Sequence, residues 1–331
     1  MILLGLLIIA IGAFCQSSCY VPINKIKSWS WETYWIVQGL FAWIVLPLAG
    51  ALLAIPHGET LTALFAAHTG SALRTVFFGV LWGIGGLTFG LSMRYLGVAP
   101  GQSISLGTCA ALGTILGPVF TGQASSITSA VIWGVVVTLA GITVIGIAGN
   151  MKARTLAGKG GTDNAVKDFN FTKGITVALF AGLMSACFNI GLYQGADISF
   201  EGTDPLYASL PATFLVTLGG FLSNAVYCFA ENTRNHTWSD YAKGSVWANN
   251  LMFCLLAGAL WYSQFFGLSI GKGFLTSSEA LTTLSFCILM ALNVVFSNVW
   301  GIILKEWKGC NSKTISVLVI GLIVLVFAAF A

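Results

Sequence analysis

NMKARTLAGKGGTDNAVKDFNFTK, residues 150–173, is the widest charged gap in the chain and holds Lys152, Arg154, Lys159, Lys167 and Lys173. Five long apolar runs precede it and five come after it. The other charges of the chain lie in the gaps between runs or within three residues of a run's end. Charged residues make up 8% of the 331 positions and hydrophobic residues 56%, with a mean hydropathy of +0.87. A water-soluble domain carries about 25% charged residues, so this chain has too few to cover a surface facing water. Spanning a hydrocarbon core of about 30 Å takes about 20 apolar residues at about 1.5 Å each. Ten runs fit that length, approximately at 2–21, 33–55, 72–95, 100–121, 127–149, 174–195, 207–229, 245–267, 278–301 and 314–331.

The runs are expected to be helices, because an unpaired backbone amide in lipid costs several kcal/mol. A membrane barrel would show alternating segments of about ten residues, and IWGVVVTLAGITVIGIAG (132–149) does not alternate. The fold class expected is an all-α integral membrane protein with ten transmembrane helices. The first run has no basic segment before it, since the first lysine is Lys25, and it carries Gln16, Ser17 and Ser18 near its end. It reads as a spanning helix rather than a signal peptide.

Alternate gaps hold the basic residues. Thirteen of the fifteen fall on one side, and only Arg74 and Lys272 on the other. Basic residues are retained in the cytoplasm, which places both termini in the periplasm. The net charge of +4 is then a topology signal, and no nucleic-acid partner is expected. With an odd number of helices in each half, the second half enters from the opposite face. The expected organisation is a first five-helix repeat at 1–149, a cytoplasmic linker at 150–173 and a second, inverted repeat at 174–331, as in many secondary transporters. Short echoes agree: LW at 81–82 and 260–261, FGLS at 89–92 and 266–269, SSCY (17–20) and SACF (185–188).

Small residues four apart, at Gly79/Gly83, Gly86/Gly90, Gly113/Gly117 and Gly267/Gly271, suit close helix packing. Polar residues inside the helices are the guide to a site. They include Gln16, Gln102, Asn189, Tyr193, Asn224, Asn249, Asn250, Trp261, Tyr262, Gln264, Asn293 and Asn298. Each taken alone reads first as an interhelical hydrogen bond. Together, neutral amides and hydroxyls with aromatic faces suit a polyhydroxylated neutral solute. Deeply buried ionisable groups, which mark function in membranes, are nearly missing. Glu32 precedes the second helix and Glu279 lies near the outer end of the ninth. If protons are coupled, Glu279 is the first candidate carrier and Glu32 the second, Glu32 also suiting the positive end of its helix. Trp29, Trp31 and Trp35 read as an interfacial aromatic anchor.

No G-x-x-x-x-G-K-[ST] occurs, so ATP-driven transport is unsupported. The eight cysteines form no CxxC or Cys/His cluster, so no metal site, redox chemistry or cofactor is expected. No clustered acidic residues suggest a membrane transferase, and an enzyme is not expected.

KSWSWETYW (27–35), LWGIGGLTFGLSMRYLG (81–97), DPLYASLP (204–211), WYSQFF (261–266) and ILKEW (303–307) resemble the signatures of the L-rhamnose–proton symporter family, of the drug/metabolite transporter superfamily. These segments occur in order over nearly the whole chain. The resemblance implies ten helices in two inverted repeats and proton-driven uptake of L-rhamnose across a bacterial inner membrane. The fourth helix (GQSISLGTCAALG, 101–113), the sixth (NIGLYQG, 189–195) and the ninth (SSEALTTLSFCILMALN, 277–293) depart from the enterobacterial members. In this fold those helices line the central cavity, so the departures bear on which sugar is carried. Alternating access between the halves is the expected mechanism. Gln16, Asn189, Tyr262 and Gln264 are expected to recognise hydroxyls, with Trp82 and Trp261 as stacking or gating aromatics. The expected partners are a sugar, protons as the coupling ion and the lipid bilayer, in a monomer or weak homodimer. An exporter of the same superfamily, or a carrier for a different sugar, is the alternative. A sugar-sensing receptor would need a soluble output domain that the loops are too short to supply.

Overall fold

The computed structural model describes residues 1–96, 98–157 and 170–330. The middle of the 150–173 linker lies outside the described residues. Among the described residues ten helices are long and apolar enough to cross a membrane: α1 Ile2–Ile23, α2 Trp31–Leu52, α3 Thr69–Leu96, α4 Pro100–Phe120, α5 Ser129–Thr155, α6 Phe171–Gln194, α7 Leu210–Arg234, α8 Gly244–Phe274, α9 Glu279–Ile303 and α10 Ser312–Phe330. The all-helical membrane class and the ten spans agree with the sequence reading. The largest difference in extent is at α8, which continues past Gly267 through Lys272 to Phe274.

Local chemistry explains the irregularities. In α1 the helix breaks at Cys19 and resumes at Tyr20–Ile23, because Pro22 has no N–H for the carbonyl of Ser18. In α2 residues Leu40–Val45 form a π-helical turn before the helix resumes at Leu46–Leu52. Pro47 withholds the N–H that the carbonyl of Trp43 would take in an α-helix. The segment between α2 and α3 holds a short helix, Leu61–Ala67, capped where the Ala63 N–H donates to Thr60 Oγ1 at 3.2 Å.

The chain divides into two compact units that do not follow the order of the sequence. The first comprises Met1–Gly83 with Gly191–Ser277, the second Ile84–Ile190 with Ser278–Ala331. The first unit therefore takes α1, α2, the first part of α3, α7 and α8. The second takes the rest of α3 with α4, α5, nearly all of α6, α9 and α10. Each has its own core. In the first, Ile36, Val37, Ala225, Cys228 and Cys254 pack with Trp29. In the second, Ile142, Ile145, Val294, Val295, Leu318 and Leu325 pack together. Apolar side chains also cover the outside, among them Ile11, Trp133, Val226, Ile323 and Phe327, as lipid-facing helices require.

Lipid offers no hydrophobic drive between helices, so close approach must supply the contact. Gly79 faces the Val216 backbone and Gly83 the Gly220 backbone, seating α3 on α7. Gly267 and Gly271 face the Ile8 and Gly5 carbonyls of α1. By contrast, a Cβ on Gly86 or Gly90 would meet nothing within 4 Å, so that pair is not a packing seam.

Candidate functional site

In the first unit, three helices bring their indoles together. Trp43 of α2 lies 6.2 Å from Trp82 of α3 and 5.7 Å from Trp261 of α8, both edge to face. Trp82 and Trp261 are 5.8 Å apart with a 39° tilt, and Phe265 lies 5.2 Å from Trp261 one turn along α8. Edge-to-face pairing suits the ring quadrupoles. Space for these rings is provided by missing side chains: a Cβ on Gly39 would strike the Trp43 ring, and one on Gly220 the Trp82 ring. Trp82 and Trp261 are half-buried, whereas Trp43 is only 3% exposed.

The same part of α8 carries Tyr262 and Gln264, both buried. The Tyr262 hydroxyl, the Trp43 indole N–H and the Gln38 Oε1 are buried with no hydrogen-bond partner. A buried polar atom without a partner costs about 1–3 kcal/mol. Gln16 is half-buried on α1 and accepts a 3.5 Å hydrogen bond from the Ser17 hydroxyl. Its helix packs on α8, where Gly12 lies against Ser263 and Gln264. Thus the first unit contains Gln16, Trp82, Trp261, Tyr262 and Gln264 of the sequence-derived set, and rings of Trp82 and Trp261 meet. Asn189 belongs to the second unit. There its amide donates to the Gly113 carbonyl at 2.8 Å, while its Oδ1 is buried without a partner.

Trp43 was not singled out from sequence, since it sits within an apolar run. Its signal was the spacing Gly39–Trp43–Pro47: a glycine one turn before to seat the ring and a proline one turn after to open the helix.

The KSWSWETYW segment is a polar tie within the first unit. The Ser30 N–H donates to Asp240 at 2.6 Å, and the Thr33 hydroxyl donates to Asp240 at 3.2 Å and to Asn232 at 3.0 Å. Lys243 donates to Asp240 at 2.5 Å and to the Ser28 carbonyl at 2.8 Å. Burial alone would raise the Asp240 carboxyl; the Lys243 and Ser30 donors outweigh it and hold the group below the usual aspartate range. Asn250 closes the tie, pairing both ways with the Lys27 backbone at 2.9 and 2.8 Å. Trp29 is buried against Trp247 at 5.1 Å, and Trp35 donates its N–H to Asn224 at 3.0 Å. Of the three tryptophans read as an interfacial anchor, only Trp31 is well exposed, at 42%. Trp29 packs inside, and half-buried Trp35 stacks on Trp31 at 5.3 Å.

Glu32 is 5% exposed and accepts hydrogen bonds from Thr237 at 2.7 Å and Asn235 at 3.1 Å. Among the described residues it pairs with no cation. Glu279 stands exposed in the first turn of α9, beside Ser278, whose hydroxyl caps the Leu281 N–H at 3.4 Å. In the second unit, Lys152 reaches Glu306 of the ILKEW segment at 3.2 Å and lies 4.7 Å over the Trp307 ring.

The profile of the L-rhamnose-proton symport protein family matches residues 1–331. A Klebsiella pneumoniae protein named L-rhamnose-proton symporter is 32% identical over 333 residues, covering 96% of this chain and 94% of its own. An Escherichia coli K12 protein of the same name is 31% identical over 332 residues, with coverage of 96% and 94%. A Yersinia pestis protein of that name is 31% identical over 341 residues, with 99% and 96% covered. With ten apolar helices among the described residues and a match along the full length, the chain belongs to the L-rhamnose-proton symport protein family.

Proposed function

We propose that this chain is a secondary active transporter, not an enzyme, that takes up L-rhamnose together with protons across the bacterial inner membrane. The observation that carries the reading is the meeting of Trp82 and Trp261 beside buried Tyr262 and Gln264. Indole faces complement the apolar C–H faces of a pyranose, and neutral polar groups complement its hydroxyls. The names of the relatives point to the same sugar, and an exporter is not favoured. Of the expected set, the five residues of the first unit, Gln16, Trp82, Trp261, Tyr262 and Gln264, bind the sugar. No cofactor is needed beyond the proton, and the working unit is a monomer or weak homodimer in the bilayer.

The finer topology is two inverted five-helix repeats with periplasmic termini, operating by alternating access. The distribution of basic residues supports the orientation. Packing supports the repeat: α2 packs on α7, α4 on α9 and α5 on α10, while Trp82 of α3 meets Trp261 of α8. These are four of the five helix pairs that a five-helix repeat relates.

For the proton, Glu279 and Glu32 are the two candidate carriers, and Glu32 is the one the test addresses. Glu32 is buried and holds only the neutral donors Thr237 and Asn235, so exchanging a proton there breaks no ion pair, whereas Glu279 is exposed. The test uses proteoliposomes and labelled L-rhamnose, comparing sugar exchange with gradient-driven accumulation. Glu32→Gln keeps an acceptor for Thr237 and Asn235 but cannot carry a proton, so exchange persists and accumulation is lost. Accumulation by Glu32→Gln at the wild-type level removes Glu32; wild-type protein that exchanges no L-rhamnose overturns the function.

A further inference from the structure

We propose that Trp43 is a sugar-binding residue whose indole N–H donates to one hydroxyl of the transported sugar, forming with Trp82 and Trp261 a three-indole site. The inference deepens the proposed function and rests on it. Three independent observations carry it. Trp43 is 3% exposed, yet its N–H has no partner. It occupies the π-helical turn Leu40–Val45, a conformation that occurs inside α-helices frequently at functional sites. The site is built around rings: Gly39 and Gly220 lack the Cβ atoms that would strike Trp43 and Trp82.

Trp82 and Trp261 are half-buried and contact Trp43 on two sides. A sugar that parts those two indoles brings a hydroxyl within reach of the buried Trp43 N–H. The donor then gains the hydrogen bond it lacks, and the C–H face of the sugar replaces indole against indole. Trp43 supplies a donor where Tyr262, whose hydroxyl is also buried without a partner, supplies a donor and an acceptor. The two together suit hydroxyls rather than a charged or fully apolar solute. The competing account is plain core packing, with the N–H resting on a neighbouring ring face, an arrangement of second-order strength.

The test is equilibrium binding to the full-length protein in lipid nanodiscs. L-rhamnose and its analogues lacking the hydroxyl at C2, C3 or C4 are titrated into wild type and Trp43→Phe, which keeps a ring and removes the N–H. The expected result is binding of L-rhamnose weakened about tenfold by Trp43→Phe. One analogue should be weakened by a similar factor in wild type and lose nothing further in the variant, the non-additivity of a shared contact. Replacing Trp43 with its benzothienyl isostere, the same shape without the N–H, should repeat the pattern and covers the case of a Phe variant that does not fold. Unchanged affinity for L-rhamnose in either substituted protein, or an equal loss for every analogue, overturns the assignment of Trp43 alone. Wild type that binds no L-rhamnose overturns the proposed function as well.

Discussion

Asp240 shows how much a single carboxylate organises in this chain. It is 4% exposed, and it collects the Ser30 N–H, the Thr33 hydroxyl and the Lys243 ammonium. Asp240→Asn leaves these donors facing a neutral amide in a buried position. Removing one member of a buried pair costs about 3–5 kcal/mol, and Lys243 is 42% exposed, so a loss of about 2 kcal/mol is expected after solvent screening. The pH dependence has a definite sign. Because the folded group titrates below the ordinary 3.8, its stabilisation is complete above that value and disappears as pH falls through the lower, folded value. Thermal melting of the detergent-solubilised protein should show Asp240→Asn well below wild type at neutral pH, with the gap closing in acid. Equal melting temperatures at neutral pH would contradict this role. Asp240 was invisible in the sequence as a partner of Ser30, because the contact spans 210 positions. Trp82 and Trp261, by contrast, stand at the matching LW echoes of 81–82 and 260–261, and their rings meet.

At the scale of the element, α2 is where sequence and structure part most clearly. Hydropathy located the helix, since an apolar run of that length must be helical in lipid. It did not register the π-helical turn, because hydropathy is blind to a missing amide. Pro47 is the cause, and Trp43 is the residue displaced. Pro47→Ala restores the donor for the Trp43 carbonyl and favours a continuous α-helix. Tightening the wide turn to α-helical pairing rotates the N-terminal part of α2 by about 100° relative to its C-terminal part. Stability should hold or rise, since proline inside a helix costs about 3 kcal/mol, while L-rhamnose binding weakens about tenfold as Trp43 leaves its seat. Melting curves and titration on the same preparation separate the two effects. Unchanged affinity would detach the π-helical turn from the site. The extent of α8 was underestimated for a related reason: Lys272 reads as loop, but it lies over the Tyr193 ring at 5.4 Å and its carbonyl accepts the Leu275 N–H, so the helix runs on past it.

For the whole molecule, the positions of the spans were written in the apolar runs, while their grouping was not. The linker at 150–173 divides the sequence after the fifth helix, yet packing gathers α7 and α8 with α1 and α2. Local hydropathy carries no information about which helices touch, and only the weak LW and FGLS echoes hinted at paired roles for α3 and α8. The proposal that the sugar is L-rhamnose rests on family membership, and the proposal that Glu32 handles the proton rests on its burial among neutral donors. The most direct test of proton-coupled uptake is labelled L-rhamnose in proteoliposomes of the purified protein, with and without an imposed inward pH gradient. Accumulation above the external concentration only while the gradient lasts, and its collapse on adding a protonophore, is the predicted result. Equal uptake with and without the gradient would contradict proton coupling, and no uptake under either condition would contradict transport of this sugar.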